Sequence, residues 1–118
     1  MSDTVYRILP RQDWLTAQAL DVMRPSDLDR RDGFIHLSPM SQVEETASRY
    51  FKVHQEPVAI ALDVERLGAN LRWERVPSRD NLPFPHYYAP NIPVALVDEV
   101  RLLLPHEGRF VWGPRISL

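Results

Sequence analysis

Of the four histidines in the chain, two are set for chemistry. His36 lies in Asp32-Gly33-Phe34-Ile35-His36-Leu37-Ser38, and His86 in Pro83-Phe84-Pro85-His86-Tyr87-Tyr88, so both are flanked by aromatic or conformationally restricted neighbours. An imidazole in such surroundings needs a partner on each ring nitrogen, and a functional histidine is oriented through its second one. His54 and His106 stand beside charged or turn residues and read as surface groups. Glu74, next to Trp73, supplies a carboxylate that can accept from a ribose hydroxyl or act as a base. His36, His86 and Glu74 are therefore the candidate catalytic residues. Ser38, Gln42, Thr46, Tyr50, Trp73 and Tyr87 are the candidate ligand-binding residues, offering hydroxyls, an amide and rings on which a flat ligand can stack. Arg24 and Arg49 are candidate anion forks.

Composition removes several alternatives. There is no cysteine, hence no disulfide framework, no thiolate nucleophile and no cysteine-based zinc site. No G-x-G-x-x-G, P-loop, H-E-x-x-H or G-x-S-x-G motif occurs. The histidines and carboxylates show no close pair at helical or strand spacing, so no metal is expected. Fourteen basic against sixteen acidic residues give a formal charge of −2, so no overall basic field draws the chain to nucleic acid or an anionic membrane, which leaves a local basic patch open. Met1-Ser2-Asp3-Thr4 carries no basic segment with an apolar run behind it, and no stretch approaches 18 apolar residues. The expectation is one cytoplasmic domain over residues 1–118.

The elements that must hold these groups follow from the pattern. Val5 to Leu9 reads as a strand, and Pro10 opens a helix with a stripe of Trp14, Leu15, Ala17 and Leu20. The charged run Asp27 to Asp32 reads as a solvated loop. Asp32 to Ser38 then reads as a turn, a short buried strand and the approach to a helix over 40–52. That helix has a capping box in Ser41-Gln42-Val43-Glu44, a competing start at Ser38-Pro39, and an apolar face of Met40, Val43, Ala47, Tyr50 and Phe51. Val58 to Val64 alternates as a strand whose second face carries Ala59 and Ala61, small enough for close helix packing. Glu65 to Gly68 is a turn or a single helical turn ending on glycine, and Leu71 to Val76 another strand. Residues 77–93, with prolines at 77, 83, 85, 90 and 93 among aromatic rings, predict a rigid binding loop in which one of Tyr87 and Tyr88 faces the core and the other faces out. Leu96 to Leu104 is a strand, with a hairpin turn at Pro105 to Gly108. Two helices followed by a run of strands predict an α+β fold: a bent, mostly antiparallel split sheet with two helices.

The blocks Asp32-Gly33-Phe34-Ile35-His36-Leu37-Ser38, Gln42 with Thr46-Ala47 and Tyr50-Phe51, Leu71-Trp73-Glu74, and Phe84-Pro85-His86-Tyr87-Tyr88 resemble, in order, the signature blocks of a bacterial family, the domain of unknown function 952. The resemblance covers nearly the whole chain. It implies a small cytoplasmic protein with a fold related to the ADP-ribosyltransferases and the NAD-dependent RNA 2′-phosphotransferases, whose split sheet holds NAD in a central cleft. On that resemblance NAD is the implied cofactor and His36 contacts its ribose or phosphate. Tyr50 or Tyr87 stacks on nicotinamide, and Glu74 or His86 faces the nicotinamide ribose. The Ser-Thr-Ser strand motif and the paired-glutamate motif of those transferases do not occur.

Three functions remain open at this level. The first is a pocket for a nucleotide or NAD-like small molecule, with group transfer at a ribose as its reaction. The second is a non-enzymatic ligand-binding or protein-interaction module, and the third a metal-assisted hydrolase. Convergence of His36, Glu74 and His86 on one cleft would favour the first.

Overall fold

A computed structural model describes residues 3–117. In chain order the elements are β1 (Thr4–Leu9), α1 (Arg11–Leu20), β2 (Val22–Met23), α2 (Asp27–Asp32), β3 (Ile35–His36), β4 (Ser38–Pro39), α3 (Val43–Tyr50), β5 (Val58–Asp63), α4 (Val64–Leu67), β6 (Leu71–Val76), β7 (Leu82–Tyr87), β8 (Ile92–Pro93), β9 (Val97–His106) and β10 (Arg109–Ile116). The strands form an antiparallel five-stranded sheet ordered β10-β9-β5-β1-β4, a three-stranded sheet β3-β7-β6 and a small β2-β8 pair. The α+β class and the antiparallel pairing are as expected. Four α-helices, rather than two, occur among the described residues.

The five-stranded sheet is covered on both faces. On one face Val5, Leu9, Val58, Ile60, Leu62 and Val100 pack with Trp14 and Ala17 of α1 and with Ile35 and Tyr87 of the smaller sheet. On the other, Ala59 and Ala61 lie in a cluster with Val43 and Ala47 of α3, where their small side chains allow the close approach that the sequence predicts. Only part of each expected helix stripe is used. Leu15, Leu20, Met40 and Tyr50 are exposed, because each helix meets the sheet along a narrow seam.

The joint between the sheets is the segment Ile35–Pro39. Ile35 and His36 pair with Tyr87 and His86 of β7, while Ser38 and Pro39 pair with Tyr6 and Val5 of β1. Leu37, buried between them, turns inward. Gly33 precedes this joint as the C-cap of α2 at φ 84°, a left-handed conformation that glycine adopts without strain.

Three local expectations are corrected. Asp27 to Asp32 is a helix, not a loop. Ser26 accepts from the Asp29 amide while the Asp29 side chain accepts from the Ser26 amide, a reciprocal capping box. The box expected at Ser41–Glu44 does not form. A 3-10 turn over Met40–Gln42 leads into α3, and the Glu44 carboxylate instead accepts from the Trp112 amide on edge strand β10. Residues 82–87 form a strand, β7, between β3 and β6 rather than a loop. A central strand tolerates Pro83 and Pro85 because both turn their backbone toward the β3 side. Pro85 O accepts from Leu37 N there, and β3 is only two residues long, so no ladder partner calls for the missing N–H groups. The two-residue turn Glu107-Gly108, both residues with positive φ, closes the expected hairpin.

Candidate functional site

The pairing of β3 with β7 sets His36 directly opposite His86. Directly paired residues share a face, so both imidazoles project to the same side, with ring centroids 5.9 Å apart. Phe34 lies against both: it stacks on His86 at 3.9 Å and is tilted against His36 at 4.6 Å. Both histidines line a cleft of about 600 Å³. Its walls are the end of β1, helix α2, the Ile35–Pro39 joint, helix α3, and the turn from β6 to β7.

Each histidine is held by a carboxylate at Nδ1. His36 Nδ1 lies 2.7 Å from Asp29 Oδ1, and its Nε2 lies 2.9 Å from Asp32 Oδ2. Asp29 is buried and receives Arg7 at 2.6 and 3.3 Å together with the amides of Ser26 and His36. Burial on its own would raise the Asp29 pKa. The bond to His36, the Arg7 guanidinium and the Ser26 amide outweigh it and hold the carboxyl well below the usual range. Arg7, also buried, donates further to the His36 carbonyl at 3.0 Å, so strand β1, helix α2 and the joint are tied into one unit.

His86 is arranged differently. Its Nδ1 lies 2.8 Å from Glu74 Oε1, which also accepts from the Tyr88 hydroxyl at 2.6 Å. Among the described residues nothing partners His86 Nε2. Burial pushes the His86 pKa down and Glu74 partly offsets the fall, so the neutral ring is favoured. Donation from Nδ1 to Glu74 leaves the Nε2 lone pair available to a ligand. This is the arrangement of an oriented general base or hydrogen-bond acceptor.

The other residues predicted from sequence divide by strand parity and helix face. Ser38, Thr46 and Tyr50 line the cleft, and the Ser38 hydroxyl donates to Thr46 at 3.2 Å. Gln42 reaches it indirectly, accepting from Arg79 at 2.9 Å. Glu74 stands behind His86 rather than on the cleft wall, so it positions that ring. Trp73, on the opposite side of β6 from Glu74 and about half exposed, does not line the cleft. Tyr87 is in the core beside Ile35, and Tyr88 is the outward ring. Arg24 and Arg49 are exposed, and Arg49 pairs with Glu45.

Arg7, Asp29 and Arg79 escape the sequence reading. Asp29 had a signal in Ser26-Asp27-Leu28-Asp29, a capping-box spacing that marks a helix start. Arg7 had a weaker one, a lone charge inside an apolar strand. Arg79 sits in a turn-forming run and carries no local mark. Among the described residues no group of three or more histidines or carboxylates is arranged to hold a metal, and no helix is long and apolar enough to cross a membrane.

A small α+β protein with two carboxylate-held histidines on one cleft is the class that fold and site define. Residues 8–100 match the profile of a family described as Protein of unknown function (DUF952), and the chain belongs to that family. It is similar to the crystal structure of protein CC0527 from Caulobacter crescentus, at 36% identity and TM-score 0.81 over 92% of this chain and 93% of that one. The solution NMR structure of CC0527 matches at 35% identity and TM-score 0.75, over 91% and 90% of the two chains. No curated protein matches the chain.

Proposed function

We propose that the cleft binds a nucleotide or NAD-like small molecule, with His86 as the group that meets a hydroxyl of the ligand or of an acceptor. The observation that carries this reading is the Glu74–His86 pair, which fixes one ring nitrogen and leaves the other unpartnered at a cleft of about 600 Å³. Cavities of roughly 300–1,000 Å³ hold ligands of nucleotide size. The exposed Tyr50 ring on the cleft wall offers a stacking face.

The finer form of the reading is a fold related to the ADP-ribosyltransferases, with NAD between the two sheets and group transfer at its ribose. The bond from ribose C1′ to nicotinamide breaks and nicotinamide leaves with the electron pair. An acceptor hydroxyl, whose proton passes to His86 Nε2, forms the new bond to C1′. His36, with both nitrogens already facing carboxylates, acts as a fixed wall and a positioning residue.

That same occupancy of His36 favours a second reading, a binding module without catalysis, because only one ring nitrogen of the two histidines is free to work. Thermal unfolding with NAD, ADP-ribose and AMP, on the wild type and on His86→Ala, tests the first. A ligand at a hundredfold excess over its dissociation constant stabilises the fold by about 2.7 kcal/mol. The shift is expected in the wild type and lost in the variant. If none of the three compounds shifts the wild type, the nucleotide reading fails.

A further inference from the structure

Arg79 is 5% exposed and lines the cleft, yet it makes no ion pair with any carboxylate among the described residues. Its guanidinium lies over the Phe84 ring at 4.6 Å and donates to Gln42 Oε1 at 2.9 Å. A guanidinium carries five N–H donors and does not give up its charge. Burying that charge without a countercharge is costly, and buried arginines are ordinarily paired, as Arg7 is with Asp29 in the same cleft.

The surroundings supply no substitute. Two acidic groups act on Arg79 through space, the Tyr50 phenol and Glu45, and Glu45 is bonded to Arg49 at 2.9 Å and to Arg109 at 3.1 Å. Arg49 adds a like charge. The cleft's own carboxylates, Asp13, Asp29 and Asp32, form no ion pair with Arg79, and Ser38, Thr46, Ser78 and Tyr50 add hydroxyls to the same wall. A buried fork of donors that no carboxylate of the cleft pairs suits a tetrahedral oxyanion, with bidentate geometry available.

We propose that Arg79, backed by Gln42 and rimmed by Tyr50 and Ser78, is the subsite for a phosphoryl group of the cleft's ligand. This deepens the nucleotide reading and rests on it. The cleft is then bipartite: a phosphate takes the Arg79 end, and a hydroxyl takes the end where His86 Nε2 is free. The ligand is a phosphorylated nucleoside rather than a neutral one.

Isothermal titration with pyrophosphate and, separately, with adenosine tests this on the wild type, Arg79→Gln, Gln42→Glu and Arg115→Gln. Arg115→Gln removes an exposed charge on β10, away from the cleft, and controls for net charge. Gln42→Glu sets a carboxylate beside the guanidinium, supplying the countercharge from within and guarding against a fold lost in Arg79→Gln. The expected result is pyrophosphate binding by the wild type and Arg115→Gln, weakened at least tenfold (about 1.4 kcal/mol) in both Arg79→Gln and Gln42→Glu. Gln42→Glu should melt no lower than the wild type. Equal pyrophosphate affinity in all four proteins, or none in the wild type, overturns the subsite. Adenosine separates the two failures. Its binding without pyrophosphate binding removes the subsite and keeps the nucleoside reading. Pyrophosphate binding through Arg79, with neither adenosine nor NAD bound, keeps the subsite and removes that reading.

Discussion

Replacing Asp29 by Asn probes the ties that hold the site together. The carboxylate accepts five contacts, from both terminal nitrogens of Arg7, from the amides of Ser26 and His36, and from His36 Nδ1. Asn keeps the shape but has one acceptor oxygen, and its NH₂ group meets donors. Arg7 is then left buried without a countercharge. Removing one partner of a buried pair costs about 3–5 kcal/mol, against a total on the order of 6–18 kcal/mol for a domain of 118 residues at about 0.05–0.15 kcal/mol each. Urea unfolding at pH 7 should show that loss with an unchanged slope.

The acid limb gives an independent readout. The Asp29 pKa is lowered by folding, so its stabilisation is complete above the unfolded carboxyl's pKa of about 3.9 and is lost as pH falls from there toward the lower folded value. Wild type therefore weakens below about pH 4, and Asp29→Asn lacks this contribution to the fall. The paired variant Arg7→Met/Asp29→Leu removes both charges and should recover part of the loss. A single variant within about 1 kcal/mol of wild type, or a double variant no better than the single, would refute the reasoning.

Glu74→Gln removes the group that holds the His86 pKa up, so the NMR titration midpoint of His86, already lowered by burial in the wild type, should fall further; a rise would mean that Glu74 does not support the charged ring. Gly113→Ala would place a Cβ 2.8 Å from the Leu102 carbonyl oxygen and 2.8 Å from Leu104 Cγ, which forces the β9–β10 backbone apart. A loss of about 1–3 kcal/mol in chemical denaturation is expected, and an unchanged midpoint would show that the strand pair yields freely.

Much of this architecture was legible because periodicity is a local signal. β5 and β6 announced themselves by alternation, and the Glu107-Gly108 turn by its glycine. The same alternation also separates Glu74 from Trp73 and His86 from Tyr87, so a list that puts both members of each pair in one site conflicts with the period of a strand. What stayed hidden depended on distance along the chain. Arg7 and Asp29 are 22 residues apart, and Arg79 and Gln42 are 37 apart. No local pattern links the two members of either pair. The proline-rich run misled for a physical reason: whether a proline breaks a strand depends on which side of it has a neighbour, and that is decided by the length of β3, elsewhere in the sequence.

The two prolines of β7 also bear on what the protein avoids. An open strand edge with alternating donors and acceptors is a template on which another extended chain can grow. Beyond the two residues of β3, this edge of β7 has no N–H at positions 83 and 85, and the Pro85 carbonyl is already taken by Leu37 N, so an incoming strand finds no donors at either proline. The sheet can therefore stop short there and leave its flank unpaired without inviting a second copy to complete it.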